Sequence, residues 1–198
     1  MAKEPSRVLA RRVWPLLAAA ALVAGCATGS EAVDVSNGGE FRFVAGTPNG
    51  EVIDADARAA APEFTGVLLD GSDFESSSLS DDIVVINFWG SWCAPCRLEM
   101  PEFQRVYEQM SSDGVSFLGV NVRDDRQLAQ AFLDDKGISY PSVFDPRGEV
   151  SLIFRDFPAN AIPSTIILDR DGGVAAVYVA AVAETELRQV LETLVGQQ

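Results

Sequence analysis

Trp89-Gly90-Ser91-Trp92-Cys93-Ala94-Pro95-Cys96-Arg97-Leu98-Glu99-Met100-Pro101 is the stretch whose reading decides the fold. The run Ile83 to Phe88 leads straight into it. That run is short, apolar and rich in β-branched residues, so it reads as a buried strand. Beyond the cysteines the period changes, and Leu98, Phe103, Val106, Tyr107 and Met110 recur at helical spacing. The spacing predicts a helix from about Cys93 to Met110, kinked where Pro101 removes a backbone donor. Cys93 and Cys96 therefore sit where a buried strand hands over to a helix. A thiol at a helix N-terminus faces unpaired N–H groups and the positive end of the macrodipole, and both favour the reactive thiolate.

Three chemistries suit such a pair. A zinc site needs about four ligands, usually Cys or His. The chain has no histidine, and its one other cysteine is Cys26, so a metal is not expected. A structural disulfide between residues three apart closes a very small loop and stabilises weakly. A reversible dithiol/disulfide couple uses every feature of the stretch, needs no cofactor beyond the Cys93–Cys96 bridge, and is the reading preferred.

Trp-Cys-x-x-Cys after a strand resembles the thioredoxin superfamily. Glu99, three residues after Cys96, and Pro101, two further on, resemble the membrane-tethered TlpA/ResA type, which includes thiol reductases serving cytochrome c maturation. The resemblance runs from about Ala61 to about Leu194. It implies an α/β thioredoxin-like fold, a central mixed sheet flanked by helices, with an N-terminal β-hairpin ahead of it. It also implies that the bond before Pro163 is cis and lies against the cysteines, since an X-Pro bond on its own is cis only about 5% of the time. Asn87 stands where thioredoxins proper carry a buried aspartate. It cannot titrate, so any proton must be handled elsewhere.

Working outward, the chain has 198 residues and a net charge of −14. Such a surface argues against nucleic acid, whose phosphates require basic contacts, and against a polybasic membrane patch. The missing histidine excludes Ser-His-Asp and Cys-His catalysis. Residues 1–25 read as an export signal, with basic Lys3, Arg7, Arg11 and Arg12 before an apolar stretch too short for a comfortable membrane span. Arg11-Arg12 also admits a twin-arginine reading, although the flanking residues fit it poorly. Val23-Ala24-Gly25-Cys26 resembles a bacterial lipobox, so Cys26 is expected to carry lipid and hold the protein on the outer face of the cytoplasmic membrane. Losing the signal takes the net charge from −14 to −17. Residues 26–60 read as a tether with a hint of a strand at Phe41, Phe43 and Val44. The folded unit is expected over 61–198.

Within that unit, Val67 to Leu69 and Phe74 to Leu79 predict a hairpin about Asp70-Gly71. Val115 to Val122 reads as a second buried strand. Asp124 or Asp125 caps a helix with Leu128, Ala131, Phe132 and Leu133 facing inward. Ser142 to Asp145 is a short extended segment, and Val150 to Phe154 a short helix. Ile166 to Leu168 and Val174 to Val179 are paired strands. Glu184 to Val195 is an amphipathic helix with Leu187, Val190, Leu191 and Leu194 inward.

The roles follow. Cys93, the more exposed thiol, attacks a protein disulfide, and Cys96 resolves the mixed disulfide. Pro95 stiffens the loop. Trp92 shapes the rim, while Trp89 could equally be core. By resemblance, Ile162 and Pro163 hold an extended substrate. Glu99 has two readings: a solvated helix glutamate, or a carboxylate one turn from the thiols that handles a proton and raises their pKa. The second makes the reduced form less stable and the protein a better reductant. The expected partners are a protein disulfide, an apocytochrome c among those implied, and by resemblance a membrane electron donor of the CcdA/DsbD type. The rivals are an oxidase or general thiol exchanger, and a lipoprotein binding module whose CxxC is only structural. A peroxidase would need an isolated cysteine after a threonine, which is absent.

Overall fold

Ile83–Trp89 forms a strand in which every residue is buried. Its sequence runs apolar without alternation because both faces of its sheet are covered. The computed structural model describes residues 52–157 and 159–197. The signal segment, the lipobox with Cys26, the rest of the tether and the strand hint at Phe41, Phe43 and Val44 lie outside the described residues.

In chain order the elements are β1 (Thr65–Val67), β2 (Asp73–Glu75), β3 (Ile83–Trp89), α1 (Ala94–Met110), β4 (Val115–Val122), α2 (Arg126–Lys136), β5 (Ser142–Asp145), α3 (Glu149–Ile153), β6 (Ser164–Leu168), β7 (Val174–Tyr178) and α4 (Glu184–Val195). The five-stranded sheet has the order β5-β4-β3-β6-β7. Strand β3 runs parallel to β4 and antiparallel to β6, so the sheet is mixed. Alternate residues of β3 feed two cores. Ile83, Val85 and Trp89 pack with α1, α2 and α4, while Val84, Ile86 and Phe88 pack with the hairpin and α3. This is the thioredoxin-like α/β fold, with the hairpin β1–β2 ahead of it.

The hairpin strands differ from the sequence expectation. Leu68 and Leu69 leave the hairpin to meet β5: Leu68 bridges Val143, and the Leu69 N–H donates to the Ser142 carbonyl at 2.9 Å. That shortens β1 to Thr65–Val67 and moves the turn onto Leu68–Ser72, where Gly71 supplies a φ of 93°. Ser76–Leu79, expected as strand, is a 3₁₀ turn.

Asp125, not Asp124, caps α2, its Oδ1 accepting from the Gln127 and Leu128 N–H groups. With that start, Ala129, Phe132 and Leu133 face inward. Leu128 is 62% exposed and Ala131 is also exposed, against expectation. Both stand off the buried stripe that the 3.6-residue period allows. Helix α1 continues through Pro101 for its full length, and its early apolar residue Leu98 is 77% exposed. The four inward residues of α4 are those expected.

The stretch before Ala61 is more than a spacer. The Ile53 N–H donates to the Ala175 carbonyl and the Val174 N–H to the Ala59 carbonyl, each at 2.8 Å. Arg58 pairs with Asp169 at 2.9 Å, largely out of solvent. Residues from about Ile53 onward therefore lie along the outer edge of β7.

Candidate active site

The cysteines end up together because β3 stops at Trp89 and α1 starts at Ala94, leaving a short loop between them. Cys93 is the N-cap of α1, and its Sγ accepts the Cys96 N–H at 3.3 Å. Pro95 sits in the first turn, where a missing N–H costs nothing. The two sulfurs are joined, with an S–S distance of 2.04 Å. Cys93 is 4% exposed and Cys96 fully buried, the order expected of an attacking and a resolving thiol. Pro163 has a cis bond to Ile162, as the resemblance implied. It directly precedes β6, where Ser164 pairs with Phe88 and Thr165 with Asn87, so the proline lies at the end of β3 that delivers the cysteines. Ile162 beside it is half-buried and touches both cores.

Beneath the disulfide lies a buried polar floor. Glu99 follows Cys96 by one helical turn on the inner face of α1 and is only 2% exposed, so it is not a solvated surface residue. Its Oε1 accepts from Asn87 Nδ2 at 3.0 Å, and its Oε2 accepts the Val182 N–H at 3.1 Å. Burial pushes its carboxyl from 4.5 up to about 7, outweighing those two donors, with a small push from Glu102. Asn87 also donates to Thr165 Oγ1 at 3.1 Å, which ties β3, α1 and β6 together. Tyr140 is buried nearby, and burial together with the charge of Glu99 drives its phenol well above the usual range. Asn87 Oδ1, Tyr140 Oη and Ser164 Oγ have no hydrogen-bond partner among the described residues.

Above the disulfide lies the rim. Trp92 is 52% exposed, its indole N–H directed at the Val122 carbonyl at 3.4 Å. The ring folds back over Gly90, where a Cβ would meet the indole at 2.5 Å, so the Trp-Gly-Ser-Trp spacing has a steric cause. Asp124 accepts from the Ser91 N–H, from Ser91 Oγ at 2.8 Å, from Asn121 Nδ2 at 2.9 Å and from the Asp125 N–H at 2.9 Å. Trp89 is core: it is buried and donates to Ser142 Oγ at 2.9 Å.

All of Trp92, Cys93, Pro95, Cys96, Glu99, Ile162 and Pro163 thus belong to one end of the sheet, whereas Cys26 lies outside the described residues. Sequence reasoning passed over Ser91, Asn121, Arg123 and Thr165, and read Asp124 only as a candidate helix cap. One signal was present: Asn87 and Asn121 each interrupt an apolar strand near its C-terminal end, and each donates to a carboxylate of the site. Among the described residues no His/Cys/Asp/Glu cluster could hold a metal ion.

The sequence profile of the AhpC/TSA family matches residues 57–177. The chain is similar to thiol-disulfide oxidoreductase ResA of Geobacillus thermodenitrificans, 28% identical over 136 residues, covering 69% of this chain and 76% of that protein. Among solved structures it is similar to a DsbF homologue from Corynebacterium diphtheriae, with a TM-score of 0.69 and 36% identity over 80% of this chain and 96% of that one. A secreted thiol-disulfide isomerase from Corynebacterium glutamicum gives a TM-score of 0.70 and 33% identity, over 82% of this chain and 96% of that one.

Proposed function

The chain belongs to the AhpC/TSA family of thioredoxin-like proteins and is a thiol-disulfide oxidoreductase; from that premise we propose that it works outside the cytoplasm as a disulfide reductase of the cytochrome c maturation type. The observation that carries this reading is the Cys93–Cys96 bridge at the start of α1 with a buried Glu99 one helical turn after Cys96.

In the reduced protein the Cys93 thiolate, formed at the helix N-cap, attacks one sulfur of a substrate disulfide. One substrate thiolate leaves, and a mixed disulfide holds substrate to Cys93. Cys96 then loses its proton and attacks the Cys93 sulfur. The second substrate thiol departs, and two electrons have passed from the protein to the substrate. Glu99 is suited to move the Cys96 proton, because a carboxyl near 7 gives and accepts with comparable ease at neutral pH. When ionised, it also disfavours a neighbouring thiolate, which lowers the reduction potential. Trp92, Ile162 and Pro163 form the ledge along which an extended substrate, an apocytochrome c for example, presents its cystine.

Exported cysteines tend to become oxidised, so a haem-attachment site outside the cytoplasm calls for a local reductant. The signal-like residues 1–25 and a lipid on Cys26 would keep the domain at the membrane, within reach of an electron donor of the CcdA/DsbD type. Changing Cys26→Ser should then release the protein from the membrane fraction.

The deciding measurement is the reduction potential of the Cys93–Cys96 couple, by equilibration in dithiol and glutathione buffers. A value near thioredoxin's, about −270 mV, supports the reductase. A value near about −120 mV overturns it in favour of an oxidase. Full function after Cys93→Ala would reduce the bridge to a structural one.

A further inference from the structure

Immediately before Asp124, Arg123 holds a φ of 51°, a left-handed conformation disfavoured for any residue with a Cβ. Backbone outliers of this kind persist where the surrounding structure imposes them, and they gather at functional corners. Here the neighbours are explicit. Asp124 is bound to Ser91, and Trp92 reaches back to Val122, so the corner between β4 and α2 is pinned on both sides of Arg123 to the loop carrying Cys93. The guanidinium comes to rest 5.7 Å from the Trp92 ring centroid. A glycine would meet the backbone requirement of this corner without conflict. The arginine adds a cation stacked on the exposed rim of the redox site.

The ionised side chains at this rim differ in how their charged ends are engaged. The Asp124 carboxylate is taken up by Ser91, Asn121 and the Asp125 N–H, and the Asp125 carboxylate by the first turn of α2. Glu99 is buried in the floor. Arg97 lies 5.8 Å from the Phe132 ring centroid and is outside ion-pair distance of a carboxylate among the described residues, since the Asp135 carboxylate pairs with Lys136. Among the described residues no carboxylate lies within ion-pair distance of Arg123. A protein with 29 acidic and 15 basic residues thus exposes, beside the loop that carries its disulfide, a cation with no ion-pair partner among the described residues. The apolar surface beside it is the Trp92 ring, itself 52% exposed.

We propose that Arg123, stacked on Trp92, is a specificity-determining residue that favours disulfides flanked by carboxylate groups. The proposal rests on the thiol–disulfide exchange assigned above to Cys93 and Cys96, and it names the substrate class of that same site. A carboxylate one or two residues from the attacked sulfur meets the guanidinium, while an apolar neighbour lies on the indole. The effect acts on encounter and orientation, so it fades with salt.

Three small disulfides of different charge test it: anionic oxidised glutathione, neutral hydroxyethyl disulfide and cationic cystamine. Second-order rate constants for oxidation of the reduced protein are measured with each, at low and high ionic strength. Arg123→Glu is expected to lower the glutathione-to-cystamine rate ratio about tenfold at low salt, and high salt to compress that difference. Arg123→Gly keeps the left-handed corner and removes the side chain with its cation, without adding the opposite charge, so it should shift the ratio in the same direction by about half as many decades. A ratio unchanged in both variants overturns the proposal and leaves the exchange reading standing. Failure of the unaltered protein to react even with hydroxyethyl disulfide overturns the exchange reading and this proposal with it.

Discussion

The floor and the rim of the site use the same pair of side chains to opposite ends. In each, an asparagine near the end of a buried strand donates to a carboxylate: Asn87 to Glu99 below the disulfide, Asn121 to Asp124 beside it. Asn121 lies next to Trp89 in the β3–β4 register, so the two asparagines belong to adjacent strands at the same end of the sheet. Below, Glu99 is nearly inaccessible and has two donors, so desolvation wins and its proton is held to about 7. At the rim, Asp124 is half-buried and receives four hydrogen bonds, from Ser91, Asn121 and Asp125. A carboxylate with so many donors serves as a clamp. What separates a carboxyl that keeps its proton to about 7 from a clamp here is the balance between lost water and gained donors, since the residue types are nearly the same.

The largest effect should come from neutralising the floor. Glu99 has its folded pKa raised from 4.5 to about 7, so its contribution is full below 4.5 and is lost as pH rises towards 7. The stability of the oxidised protein relative to Glu99→Gln should therefore fall by about 3 kcal/mol between pH 4.5 and pH 8, read by denaturant unfolding at each pH. In the reduced protein the same substitution should lower the Cys93 pKa by about one unit, by thiol titration. A difference that stays flat with pH, or a Cys93 pKa that does not fall, would abolish the distinction between floor and rim.

Next comes the clamp itself. Asp124→Ala strands the Ser91 and Asn121 donors and should cost about 2 kcal/mol of stability, read by denaturant unfolding. Asp124→Asn should cost less, because one amide oxygen still accepts. Trp92 fluorescence, measured in the oxidised protein, should shift to longer wavelength as its loop loosens.

Smaller still is the steric support of the rim. Gly90→Ala places a methyl where the Trp92 indole lies and should displace the ring from Val122, costing about 1 kcal/mol. Unfolding midpoint and Trp92 quenching together read this change. The smallest effect should be Leu98→Ser, within about 0.5 kcal/mol, because that side chain is exposed and buries nothing in the isolated chain. A cost above 1.5 kcal/mol would place Leu98 in packing that the structure does not contain.

The legible parts of this protein were those in which neighbours in sequence do the work. Strand β3, the CxxC at the start of α1 and the inward stripe of α4 all rest on local period and caps. The hairpin was misplaced by a few residues because Leu68 and Leu69 answer to β5, more than seventy residues downstream. In α2 the inward positions slipped for a related reason: four apolar residues satisfied a helical pattern, and only the packed sheet chose among them.

By itself the sequence determined that a pair of thiols stands at a strand-to-helix junction with a glutamate one turn on, because covalent spacing and helical period need no distant partner. Tertiary structure alone decided what that glutamate is. Its protonation depends on water excluded by β3, β6 and the segment before α4, and on donors from Asn87 and Val182, which meet only once the sheet is assembled. The same holds at the rim, where Arg123 and Asp124 reach Trp92 and Ser91 across some thirty residues of chain. Desolvation and hydrogen bonding act through space, and the folded sheet supplies that proximity.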